Sequence, residues 1–163
     1  MKKEENIKRG KKSRAAGLRF ENLVRKDLES NGWIVDKWSN NVEFEKGGLA
    51  NYGKLIKVKN KFRGKGIPMM LGAGFPDFIA FKRIEGNPPN LISLKTKTKF
   101  NHNLYEVFGV ESKSNGTLDK KEKEKCKWYL DNKTFSKILI ASRGDKRGSI
   151  VYKEFEKGGK GKW

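Results

Sequence analysis

GFPDFIAF, residues 74–81, sets one aspartate, Asp77, at the head of a run that is otherwise apolar and aromatic. A carboxylate at the entry of a buried strand loses solvation unless a cation or hydrogen-bond donors compensate it, so Asp77 reads as a structural cap or as a ligand. The segment YEVFGVESK, residues 105–113, bears on that choice. It reads as a second strand, on which residues two apart project to one face. Glu111 and Lys113 then point together, while Val110 and Ser112 face the other way. If the two strands are neighbours, two carboxylates and an ammonium meet at one end of a sheet. Asp77, Glu111 and an exposed backbone carbonyl, that of Ser112, suit Mg²⁺, with Mn²⁺ as a substitute. Lys113 would orient a water and offset negative charge at a phosphate under attack.

The same acid-x-Lys triplet recurs at Asp119-x-Lys121 and Asp131-x-Lys133, but there it lies in a charged helical stretch where a solvated face is expected. Ser93-Leu94-Lys95 offers another register, and serine is a poor replacement for a magnesium-binding carboxylate. Only Glu111 and Lys113 follow an apolar strand, and Pro76 is of a kind allowed at a strand's first residue.

Outward from these two strands the pattern predicts an α/β domain with a mixed sheet flanked by helices. Ala16, Phe20, Leu23, Val24 and Leu28 form one stripe of a helix over residues 14–31, with Gly32 as its stop. A strand begins at Trp33 and leads into a loop. Residues 46–74 carry lysines and glycines between short apolar pieces and read as a mobile basic loop or hairpin inserted before the core resumes. Strands are expected at Phe78–Arg83, 91–99, 105–113, 138–141 and 150–152, and an amphipathic helix over 118–132. Residues 1–13 read as a basic flexible arm, 14–155 as a single domain, and 156–163 as a flexible tail.

Lysine and arginine number 38 against 19 acids, a formal charge of +19, and a polyanion is the usual partner for such an excess. Phosphate contacts are expected from Lys11, Lys12 and Arg14 near the arm, from Lys54, Lys57, Lys59, Lys61, Arg63 and Lys65 in the insertion, and from Lys95 and Lys97. No apolar run approaches the ~20 residues that span a bilayer, and the charged start has no apolar stretch after it, so a cytoplasmic protein without a membrane partner is expected. Cys126 is the only cysteine and His102 the only histidine, which excludes an intramolecular disulfide, a cysteine-based zinc cluster and any two-histidine centre. Cys126 reads as packing and His102 as a turn residue. RGKGIP lacks the second half of a P-loop, which argues against nucleoside triphosphate use.

Pro76-Asp77 followed by Glu111-Ser112-Lys113 resembles the PD-(D/E)xK nuclease superfamily. The surroundings are most similar to the archaeal Holliday junction resolvases within it, in which a basic arm precedes a glutamate-bearing helix, a Gly-aromatic pair, a strand and a serine. Glu21, Gly32-Trp33 and Ser39 stand here in that order, and GVESKSNGTLDKKEKEKCKWYL followed by KILIASR resembles the catalytic strand, helix and next strand. The resemblance implies a restriction endonuclease-like core. It also implies Glu21 as a further acid of the catalytic and metal site, Ser39 as a phosphate contact, and a homodimer making paired cuts in branched DNA. The expected function is therefore a metal-dependent DNA endonuclease of the Holliday junction resolvase kind. Two alternatives stay open: another nuclease of the superfamily, whether homing, restriction-like or repair, and a nucleic-acid-binding module without catalysis.

Overall fold

Gly32 ends the first helix as its sequence position predicts. It adopts φ of 80°, Trp33 N–H bonds back to the Leu28 carbonyl at 3.1 Å, and Gly32 N–H bonds to that of Glu29 at 3.0 Å. This pair of bonds is the Schellman arrangement, which favours a residue without Cβ at the left-handed position. The computed structural model describes residues 2–44, 53–58, 62–63, 67–68, 74–84 and 104–157. In chain order these form α1 (Lys2–Ser30), β1 (Ile34–Lys37), β2 (Asn40–Phe44), β3 (Gly53–Lys57), β4 (Phe62–Arg63), β5 (Ile67–Pro68), β6 (Phe78–Arg83), β7 (Tyr105–Ser112), α2 (Lys120–Asp131), β8 (Lys137–Arg143) and β9 (Ile150–Glu154).

Five of the strands make one mixed sheet in the order β1-β6-β7-β8-β9. β6 runs antiparallel to β1 and β7, β8 runs parallel to β7, and β9 returns antiparallel to β8. The parallel step requires a crossover, and α2 supplies it. Alternate residues of each strand feed two cores. On one face Phe78, Ala80, Phe108, Val110 and Ala141 pack with Val35 and with Phe20, Val24 and Leu28 of α1. On the other, Ile79, Val107, Ile138 and Ile140 pack with Cys126 and Tyr129 of α2 and with Phe135 and Phe75. The result is an α/β fold in which the sheet lies between two helices. Cys126 is fully buried, the packing role its position predicts.

The outcome departs from expectation in two places. α1 begins at Lys2 rather than near residue 14, so the helix takes in residues 2–13 as well. Lys, Glu and Arg are good helix formers, and Glu4 and Glu5 in the first turn oppose the helix dipole favourably, so this stretch forms helix while burying no apolar face. β2 was not expected. It pairs with β3 in an antiparallel hairpin, Asn40 opposite Lys57 through Phe44 opposite Gly53. Within the insertion, expected as a loop or hairpin, β4 and β5 form a short antiparallel pair and β3 pairs outward with β2. The hairpin leans on the α2 side: Val42 is buried, and a Cβ at Gly53 would stand 2.6 Å from the Trp128 indole nitrogen. The predicted strand at 91–99, His102 and residues 158–163 lie outside the described residues. No helix among those described is long and apolar enough to cross a membrane.

Candidate active site

In the antiparallel pairing of β6 with β7, Phe78 stands opposite Val110. One step further along the register lie Asp77 and Glu111, which therefore share one face at one end of the sheet. Their bonds are reciprocal. Asp77 N–H donates to Glu111 Oε2 at 3.1 Å, and Ser112 N–H donates to Asp77 Oδ2 at 2.9 Å. The approach of the two strands is tight, since a Cβ at Gly109 would stand 2.6 Å from Pro76 Cγ. The chain before Asp77 is fastened to the β1–β2 link: Trp38 N–H donates to the Asp77 carbonyl at 3.1 Å and Phe75 N–H to that of Asn40 at 2.9 Å.

Both carboxylates are buried, Asp77 at 8% and Glu111 at 5% exposure. Burial pushes Glu111 up to about 8, helped by the neighbouring Asp77 and opposed by Lys113. Asp77 is also raised by burial, opposed by the Ser112 N–H; the charge of Glu21 raises it further, and those of Lys37 and Lys113 lower it. Lys113 stands 3.3 Å from Glu111 Oε1 and also pairs with Glu122 of α2. Burial works against its charge, but the bonds to Glu122 and Glu111 prevail and hold the ammonium above the ordinary lysine value. Glu122 is itself fixed by a capping box with Asp119, its N–H accepted by Asp119 Oδ1 at 2.8 Å and its Oε2 accepting from Asp119 N–H at 2.9 Å.

With β6 and β7 paired as neighbours, Asp77, Glu111 and Lys113 thus meet at one end of the sheet. Glu21 comes near enough for its charge to reach Asp77, but its carboxylate pairs with Lys37 of β1 rather than with the two buried acids. Among the described residues no three Asp, Glu, His or Cys side chains stand close enough to enclose a metal ion. Ser112 lies beside Asp77 in β7, and its hydroxyl is buried without a hydrogen-bond partner among the described residues.

The basic residues are dispersed. Lys11, Lys12 and Arg14 lie exposed on the first half of α1, Ser39 is exposed in the β1–β2 link, and Lys54 and Lys57 are exposed on β3. Arg63 falls in β4. Lys59, Lys61, Lys65, Lys95 and Lys97 lie outside the described residues. Sequence reasoning missed Lys37, which answers Glu21, and Glu122, which answers Lys113. The second had a visible signal in Asp119-x-x-Glu122, the spacing of a capping box just after β7. In comparisons with known proteins, no family model, no curated protein and no solved structure matches this chain.

Proposed function

We propose that this protein is a metal-dependent DNA endonuclease with a restriction endonuclease-like core, acting on branched DNA as a homodimer in the manner of a Holliday junction resolvase. The observation that carries the reading is the meeting of Asp77, Glu111 and Lys113 at one end of the sheet. A chain of net charge +19 supports a polyanionic substrate.

The donor set fits a hard divalent cation. Its side-chain atoms are carboxylate oxygens, and both acids are pushed toward protonation by burial without enough positive charge to offset it. Two carboxylates also match Mg²⁺, which commonly takes one or two from the protein and fills its remaining positions with waters and substrate phosphate. Asp77, Glu111 and the Ser112 carbonyl would hold the ion, with Glu21 nearby, and when bound it supplies Lewis acidity and charge neutralisation at the phosphate.

The chain's own groups do the rest. Lys113 remains protonated at neutral pH, so it serves as a cation and hydrogen-bond donor that orients the attacking water and stabilises charge developing on the phosphate. Glu111 and Glu122 fix its ammonium from two sides, so little reorganisation is required. The proposal is tested with labelled four-way junction, flap, mismatched and linear duplexes in Mg²⁺. Preferential cutting of the junction supports the resolvase reading. Equal cutting of linear duplex replaces it with another nuclease of the superfamily, and no cutting in Mg²⁺ or Mn²⁺ leaves only a binding module.

A further inference from the structure

A cleft of about 590 Å³ opens between α1 and the turn that joins β8 to β9. Arg19, Phe20 and Leu23 line it from the helix, and Arg143, Lys146 and Arg147 from the strand end and turn. Four of these six are cations, and Asp145 is the one acid in the lining. None of the four cations is ion-paired with a carboxylate among the described residues. Arg143 is held with its guanidinium 5.7 Å from the Phe20 ring centre, which braces a cation in the cleft without neutralising it.

The position matters as much as the charge. β8 runs parallel to β7 with Ala141 opposite Ser112, so Arg143 lies just past the sheet end that carries Glu111 and Lys113. Arg143 N–H reaches the Ser114 carbonyl, one residue beyond Lys113. α1 separates two sides of this end. Glu21 and Arg25 turn toward β1, bonding Lys37 and the Val35 carbonyl. Arg19, Leu23 and Asp27 follow one another at four-residue steps along a different face, and Asp27 accepts from the Tyr152 hydroxyl of β9 at 2.7 Å.

We infer that this cleft is a second binding site, for the sugar-phosphate backbone of the nucleic acid strand next to the cut phosphate. Arg19, Arg143, Lys146 and Arg147 contact successive phosphates there. The inference rests on the nuclease reading for its geometry, but its test reads binding alone.

Binding of fluorescent duplex and four-way junction DNA to the metal-free full chain in EDTA is measured over a range of salt for wild type and for Lys146→Ala/Arg147→Ala. Both positions are exposed on the turn, so the fold should be unaffected, as thermal melts would verify. The log–log salt slope should become shallower by about 2, with affinity at low salt falling roughly tenfold or more. The control, Lys127→Ala/Lys133→Asn on and just after α2, removes equal charge, and asparagine tolerates the φ of 52° at residue 133. It should leave the slope nearly unchanged. Equal losses in the two double variants, or none in the first, would overturn the inference. DNA that binds through the cleft yet is never cut in Mg²⁺ would instead count against the nuclease reading and leave the cleft assignment standing.

Discussion

Replacing Glu111 by glutamine removes a buried charge without changing the shape of its side chain, so the metal-free variant should be more stable than wild type at alkaline pH. The folded-state value of Glu111, about 8, lies above its ordinary 4.5. The protonated acid therefore favours the folded chain: this contribution is full below about pH 4.5 and is lost as the pH rises through about 8. At about 1.4 kcal/mol per unit, the span sets a ceiling of about 5 kcal/mol on the contribution. About half of that is expected to appear, because Asp77 and Glu111 face each other and one of them can keep a proton as the other ionises. Urea unfolding in EDTA at pH 6 and pH 9 measures it. Because pH 6 to 9 spans only the upper part of that titration, the advantage of Glu111→Gln over wild type should widen by about 1–1.5 kcal/mol between the two pH values. Saturating Mg²⁺ should narrow it, since wild type alone keeps both carboxylates for the ion. Parallel stability curves for the two proteins across this range would show that Glu111 is not held unsolvated in the fold, and would refute the reasoning.

Gly109→Ala should lose about 1–3 kcal/mol in the same unfolding assay and lower any cleavage rate, because the new methyl would press Pro76 away from β7. Asp119→Ala should lose about 1 kcal/mol by removing the helix cap, and should also reduce turnover by freeing Glu122, one of the two acids that fix Lys113. Tyr152→Phe should lose about 1 kcal/mol, read as a lower urea midpoint, through the lost bond to Asp27. Lys113→Met should bind DNA with little change in affinity while single-turnover cleavage falls by about two orders of magnitude or more.

The parts of this fold that were legible in the sequence are those governed by a short period. Of the stripe from Ala16 to Leu28, Phe20, Val24 and Leu28 form the buried face of α1 while Ala16 is half-buried and Leu23 is exposed toward the cleft, and the spacing of Glu111 and Lys113 put both on one side at the end of β7, where they lie 3.3 Å apart. The meeting of Asp77 with Glu111 needed the further condition that β6 and β7 be neighbours, which no local pattern states. Residues 4–9 and 11–13 are exposed in the helix, so they carry no apolar stripe to announce it; their order rests on propensity, a weaker signal. β2 was hidden for a related reason. Asn40 and Asn41 disfavour strand, and the element is held by its ladder with β3 and by Val42 packing on the α2 side. Lys37 could not be assigned to Glu21 from the sequence, since 16 residues and a helix end separate them and only the α1–β1 docking joins them. The basic cleft was invisible on the same ground: Arg19 and the 143–149 turn meet only because β9 folds back along β8 beside α1.

The most direct test of a shared divalent ion at Asp77 and Glu111 is single-turnover incubation of a labelled four-way junction with wild type and Asp77→Asn, each in Mg²⁺ and in EDTA. The account expects strand cleavage by wild type in Mg²⁺ and none in the other three reactions, with junction binding retained in all four. Cleavage by wild type in EDTA, or by Asp77→Asn at the wild-type rate in Mg²⁺, would contradict it, as would junction binding by wild type in Mg²⁺ with no cut strand.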